Sequence, residues 1–188
     1  MIKWWVLIIS IIIANPLLAK CKIDNHPFGT SSSKIEKSVS EWGSYEPIPN
    51  VNKEIFTSFE TICPELKKSI LGRETNVIYH FIKDKLVAIE LVLQTTDKLE
   101  LFEWGKKQFG ISEERDLAKA EQVIHVEDGN RIIQLFVGVL PDVVFQNVVL
   151  ISTKHDDLFE YQYQQEDKIK WDTYEMAPLE PITLGEEN

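Results

Sequence analysis

The residues of this 188-residue chain that could do chemistry are few and scattered. The four histidines are His26, His80, His125 and His155. None has a second histidine at i+3 or i+4 or lies in an HExxH frame, so no metal site is expected. His80 and His125 fall in segments that read as strands, where a hydrogen-bonded structural histidine is the plainer reading. His155-Asp156-Asp157 has the right donors to grip a cation, but a solvated loop is the plainer reading. Ser31 and Lys34 stand in the Ser-x-x-Lys spacing of penicillin-binding enzymes, but the Ser-Asp-Asn and Lys-Thr-Gly elements that complete that chemistry are absent. A run of serines opening a helix accounts for them. No GxSxG, P-loop or GxGxxG occurs, so no cofactor is expected. Glu113-Glu114 lie in polar surroundings with nothing to raise a carboxyl pKa.

Two cysteines, Cys21 and Cys63, remain. Their meaning depends on compartment, and the first nineteen residues speak to that. Lys3 gives a positive start, Trp4 to Ala14 is an apolar stretch interrupted by Ser10, Asn15-Pro16 breaks it, and Ala19 offers a small residue for cleavage. That order predicts a secretory signal peptide cut after Ala19. The apolar stretch is well short of the ~20 residues needed to span a bilayer. A periplasmic destination is expected, with full secretion as the alternative. LLAKC also approximates a lipobox that would make Cys21 a lipoprotein anchor, but Lys20 stands where a small residue is required. In an oxidising compartment Cys21 and Cys63 most simply pair with each other; two separate thiols are the alternative.

Thirty acids against twenty Lys and Arg give a net charge of −10. That excludes a protein whose affinity comes from neutralising phosphates, so no nucleic-acid partner is expected. The acid is concentrated at one end. Residues 156–188 hold ten acids and two lysines, a net −8 over 33 residues. Aromatics run through the same stretch. Asp156, Asp157, Glu160, Phe159, Tyr161, Tyr163, Trp171 and Tyr174 are therefore the candidate partner-binding residues, with acids steering a basic protein and aromatics anchoring it. A solvated last element followed by a loose tail is the plainer alternative.

These side chains must be carried by elements, and the patterning is α+β. Ser33 and Glu36 form a capping box for a helix over 32–42, with Ile35, Val39 and Trp42 on one side and Gly43 at its end. Residues 54–62 read as a strand, and 66–71 as a helical turn ended by Gly72. Strands over 76–82 and 86–95 form a hairpin through Lys83-Asp84-Lys85. Asp97 caps a helix over 98–109, whose Gly105 is tolerable if the helix lies close on a sheet. Strands 121–126 and 131–139 turn at Asp128-Gly129-Asn130, and 145–153 is a further strand. Residues 157–170 carry both strand-like alternation and helix formers; helix is the expectation. The fold class is an antiparallel sheet with helices on one face. Helix followed by three strands occurs twice, at 28–95 and 96–174, which reads either as tandem α-β-β-β halves or as one continuous sheet. Residues 20–174 form the domain and 175–188 a flexible acidic tail.

Phe28 to Gly43, FGTSSSKIEKSVSEWG, resembles the opening of small envelope domains of the SmpA/OmlA type, with Gly29, Thr30, Ile35 and Gly43 in the characteristic positions. The resemblance implies a helix-plus-antiparallel-sheet domain that binds rather than catalyses. In tandem, such domains are similar to β-lactamase inhibitory proteins, which bind an enzyme across a concave sheet. The functional expectation is thus a soluble periplasmic, non-catalytic protein-binding protein. Two alternatives remain: an inhibitor or immunity protein against a basic toxin or hydrolase, and an enzyme of undetected type.

Overall fold

A computed structural model describes residues 21–176, with the side chains of Lys22, Asp24 and residues 171–176 outside the description. The signal peptide expected over 1–19 and most of the expected tail also lie outside the described residues. In chain order the elements are α1 (Ser32–Ser38), β1 (Gly43–Tyr45), β2 (Asn52–Ser58), α2 (Phe59–Ile62), α3 (Ile70–Glu74), β3 (Asn76–Ile82) and β4 (Lys85–Thr95). Then follow α4 (Glu100–Phe109), β5 (Glu121–Asp128), β6 (Arg131–Val139), β7 (Val144–Ser152) and α5 (Asp156–Met176). All seven strands join one antiparallel sheet in the order β1-β2-β3-β4-β7-β6-β5. The chain is an α+β fold. The two halves are continuous through β4 and β7, which pair from Ala88↔Ile151 to Thr95↔Val144.

One face of this sheet is the main core. Period-two alternation puts Ile55, Val77, Tyr79, Ile89, Leu91, Leu135, Val148 and Leu150 on it. Ile35 of α1, Phe59 of α2, Leu71 of α3 and Leu101 and Phe102 of α4 pack down onto the same cluster. Gly105 lets α4 approach closely, since a Cβ there would come within 2.9 Å of Leu135 and Val148 side chains. Helices α1 to α4 thus lie on one face, as the pattern predicts. The fifth does not. Leu158 of α5 packs against Ile82 and Val87, on the opposite side of the sheet, with Phe159 and Tyr161 beside it. A β-bulge lies at this seat: His80 pairs with Ala88 and Phe81 with Leu86, so Val87 is the extra residue between them.

Cys21 and Cys63 form a disulfide across a separation of 42 residues. It ties the chain preceding α1 to the end of α2, worth on the order of 4 kcal/mol by loop closure. The hairpin between β3 and β4 turns on Lys83 and Asp84, both at positive φ (49° and 57°), the requirement of a two-residue type I′ loop.

Several boundaries differ from expectation. Helix α1 ends at Ser38 because Val39 is already extended (φ −107°, ψ 129°), leaving Trp42 45% exposed beyond it. Its capping box does not form: Glu36 instead pairs with Lys53 at 2.6 Å, and Asp84 Oδ1 accepts the Ser32 N–H at 2.9 Å. Strand β2 stops at Ser58, where Phe59 turns inward as a helix and donates its N–H to the Thr75 carbonyl at 2.9 Å. Gly72 lies inside α3 rather than ending a turn. Asp97 does not cap α4, which begins at Glu100. Residues 157–170 are helical, and the helix continues to Met176, past the expected start of the tail.

Candidate functional site

The strands β4 and β7, KLVAIELVLQT and VFQNVVLIS, carry apolar residues in consecutive runs, on both faces rather than only at alternate positions. Such a pattern belongs to strands covered on both faces. In the fold the second face is covered at one end only, where α5 docks. Across the rest, Phe56 pairs with Ile78, Gln94 with Phe145, and Phe136 with both Val123 and Asn147. Phe56, Ile78, Phe145 and Phe136 are half-buried, and Val123 is 52% exposed. This open face, apolar at these positions and interrupted by Glu90, Gln94, Gln134 and Asn147, is surface that the core does not use.

Near its centre lies a polar cluster. His80 on β3 sits between two carboxylates, with Nδ1 3.4 Å from Glu54 of β2 and Nε2 3.0 Å from Glu90 of β4. Asn147 of β7 donates Nδ2–H to the other Glu90 oxygen at 2.7 Å. The register makes this unavoidable, because Glu54 is directly opposite His80 and Glu90 is diagonal to it. Both ring nitrogens are occupied, and among the described residues no serine, threonine or cysteine is hydrogen-bonded to the ring. The arrangement can hold charge in place. It has no activated nucleophile.

Between this cluster and α5 is a cleft of about 370 Å³. The sheet forms its floor; Phe159, Gln162, Tyr163 and Glu166 form its roof.

The residues expected to bind a partner are divided by the fold. Asp156 and Asp157 are exposed in the first turn of α5, where acids also complement the helix dipole. Glu160 is exposed. Phe159 and Tyr161 are partly buried and hold α5 to the sheet. Lys83 Nζ lies 3.3 Å from the centre of the Tyr161 ring. Tyr163 is 65% exposed at the cleft mouth. Trp171 and Tyr174 are in the helix, with side chains outside the described residues. Sequence reasoning missed the open sheet face and the Glu54–His80–Glu90 cluster. The first was signalled by strands apolar on both sides; the second becomes visible only once the register is known.

Two other groupings carry no chemistry of this kind. Ser152 Oγ and His155 Nδ1 are 2.7 Å apart, but Ser152 is fully buried and accepts the Lys154 N–H, so the pair closes the turn into α5. Donor atoms of Cys21, Cys63 and Glu65 gather within 4.8 Å, with both sulfurs committed to the disulfide. No helix among the described residues is long and apolar enough to cross a membrane. No family model matches the chain, and comparisons with curated proteins and with solved structures found no match.

Proposed function

We propose that this chain is an exported envelope protein that acts by binding another protein across the open face of its sheet, with no chemistry of its own. The supporting observation is the second sheet face, patterned for two-sided coverage yet left half-exposed from Phe56 to Val123. Monomeric proteins rarely leave a contiguous apolar patch without a partner for it. The occupied ring nitrogens of His80 favour a structural over a catalytic histidine. Lys3, the apolar stretch and Ala19 support export, and the resemblance at Phe28 to Gly43 supports an envelope setting.

A photoreactive benzoylphenylalanine replacing Phe136 should give one predominant crosslinked adduct in periplasmic extract. The same probe at Leu117, which is 88% exposed on the loop between α4 and β5, should not. Identical adduct patterns from the two positions would overturn the reading.

A narrower version makes the partner basic and the chain an inhibitor or immunity protein. It is supported by Asp156, Asp157 and Glu160, exposed on the helix that borders the open face. Replacing all three by their amides should weaken capture at low salt and flatten its salt dependence. Capture that is insensitive to both would sink this version while leaving the first intact.

A further inference from the structure

The first two turns of α5 are fixed to the sheet through Leu158, and the helix then runs out over β3 towards β2. The cleft beneath it is therefore neither a core void nor part of the flat face. Its walls are of two kinds. Ala88, Val149 and Ile151 give an aliphatic floor, and the Phe159 and Tyr163 rings stand over it. Acid borders it on both sides: Glu54 from the sheet and Glu166 from the helix.

These acids are only half satisfied. Glu54 pairs with His80 through Oε1, and Glu166 accepts a hydrogen bond from Gln162 Nε2 at 2.7 Å, also through Oε1. The second oxygen of each has no partner among the described residues. Lys53 borders the cleft too, but its ammonium is held on Glu36 at 2.6 Å. Elsewhere on the same helix, on a flank that does not line the cleft, Lys83 Nζ rests on the Tyr161 ring, the kind of contact by which an aromatic face holds an ammonium. An aliphatic floor, aromatic rings and unpaired carboxylate oxygens at the rim match a cation carried on an apolar stem.

We propose that the cleft between α5 and the sheet is a binding pocket for a basic side chain, arginine or lysine, projecting from the partner. That source rests on the protein-binding reading above; the chemistry of the pocket does not. The open face supplies contact area, and the cleft selects what stands at its edge.

The test is an NMR titration of the disulfide-bonded protein with three probes: Nα-acetyl-arginine amide, Nα-acetyl-lysine amide and the uncharged Nα-acetyl-citrulline amide. At least one cationic probe should give saturable shifts centred on the amides of Glu54, His80, Tyr163 and Glu166, with a Kd on the order of millimolar. Citrulline should bind at least about tenfold more weakly, as a lost charge-assisted contact requires. The comparison of arginine with lysine identifies the preferred tip. Glu166→Gln, on an exposed helix position, should weaken the cation about fivefold, and Glu54→Gln should do likewise. Asp156→Asn with Asp157→Asn, outside the cleft, should not. Citrulline binding as well as arginine, or shifts spread over every acidic surface and equal in all variants, would overturn the proposal. Saturable probe binding without a crosslinked partner at Phe136 would leave the pocket standing and remove its protein source. A crosslinked partner without probe binding would do the reverse.

Discussion

Gln146, a fully buried side chain on β7, caps helix α4: its Oε1 accepts the backbone N–H of Leu101 at 3.0 Å. The same oxygen accepts the Phe102 N–H at 3.1 Å, while Nε2 donates to the Thr95 hydroxyl and the Lys98 carbonyl at 3.0 and 2.8 Å. A strand thus satisfies the orphan donors that open a helix more than forty residues away.

Gln146→Leu keeps the volume and strips all four bonds. It should destabilise the fold by about 2–4 kcal/mol, since buried groups would be left without partners. Urea unfolding should show a lowered midpoint with an unchanged slope. A loss under about 1 kcal/mol would mean that water replaces the amide.

Gly72→Ala sets helix propensity against packing. Alanine favours the α3 backbone by about 1 kcal/mol. A Cβ at position 72, however, would lie 2.2 Å from the Leu66 carbonyl oxygen, which is backbone and cannot rotate away. The expected result is a net loss of about 2 kcal/mol or more, read from the same unfolding curves.

Burial pushes the Tyr79 hydroxyl up to about 12 from its ordinary 10.0, and among the described residues the hydroxyl has no hydrogen-bond partner. The unfolded chain therefore releases this proton before the folded one. The contribution to stability is complete below pH 10 and is lost as pH rises from there to about 12, on the order of 2 kcal/mol in all. Tyr79→Phe should remove that slope and leave neutral stability equal or higher by about 1 kcal/mol. Thermal unfolding across this alkaline range decides it; an unchanged slope in the variant would assign the effect to other groups.

The disulfide predicts a mass difference of two hydrogens between oxidised and reduced protein. Reduction, or Cys63→Ser, should lower stability by about 4 kcal/mol on the loop-closure argument. Free thiols in the unreduced protein would refute the bridge.

How much of this was legible follows from how local each cause is. The β3–β4 hairpin was readable because its turn and both strands lie within twenty residues, with Lys83-Asp84 marking the reversal. The disulfide was readable because only two cysteines exist. Ser33 and Glu36, by contrast, satisfy the rule for a capping box, yet the cap of α1 comes from Asp84 and Glu36 goes to Lys53. Asp97 lost its expected role to Gln146 in the same way. Ends of elements are decided by side chains from distant strands, and a local rule cannot see them. The cleft was hidden for the same reason. Glu54, His80 and Glu90 are unremarkable until register brings them together, and Phe159 and Tyr161 look like partner anchors until α5 is seen resting on them.

The pairing of β4 with β7 has one further consequence. Each is the last strand of an antiparallel meander, four-stranded in β1-β2-β3-β4 and three-stranded in β5-β6-β7, and they meet edge to edge in opposite directions. Two separate chains related by a twofold axis would join their sheets in just this manner. A chain cut between β4 and α4 would leave each piece with its most apolar edge bare, and bare edges recruit copies of themselves. Joining both pieces in one polypeptide makes that encounter intramolecular, so the seam closes at any dilution and self-assembly is pre-empted.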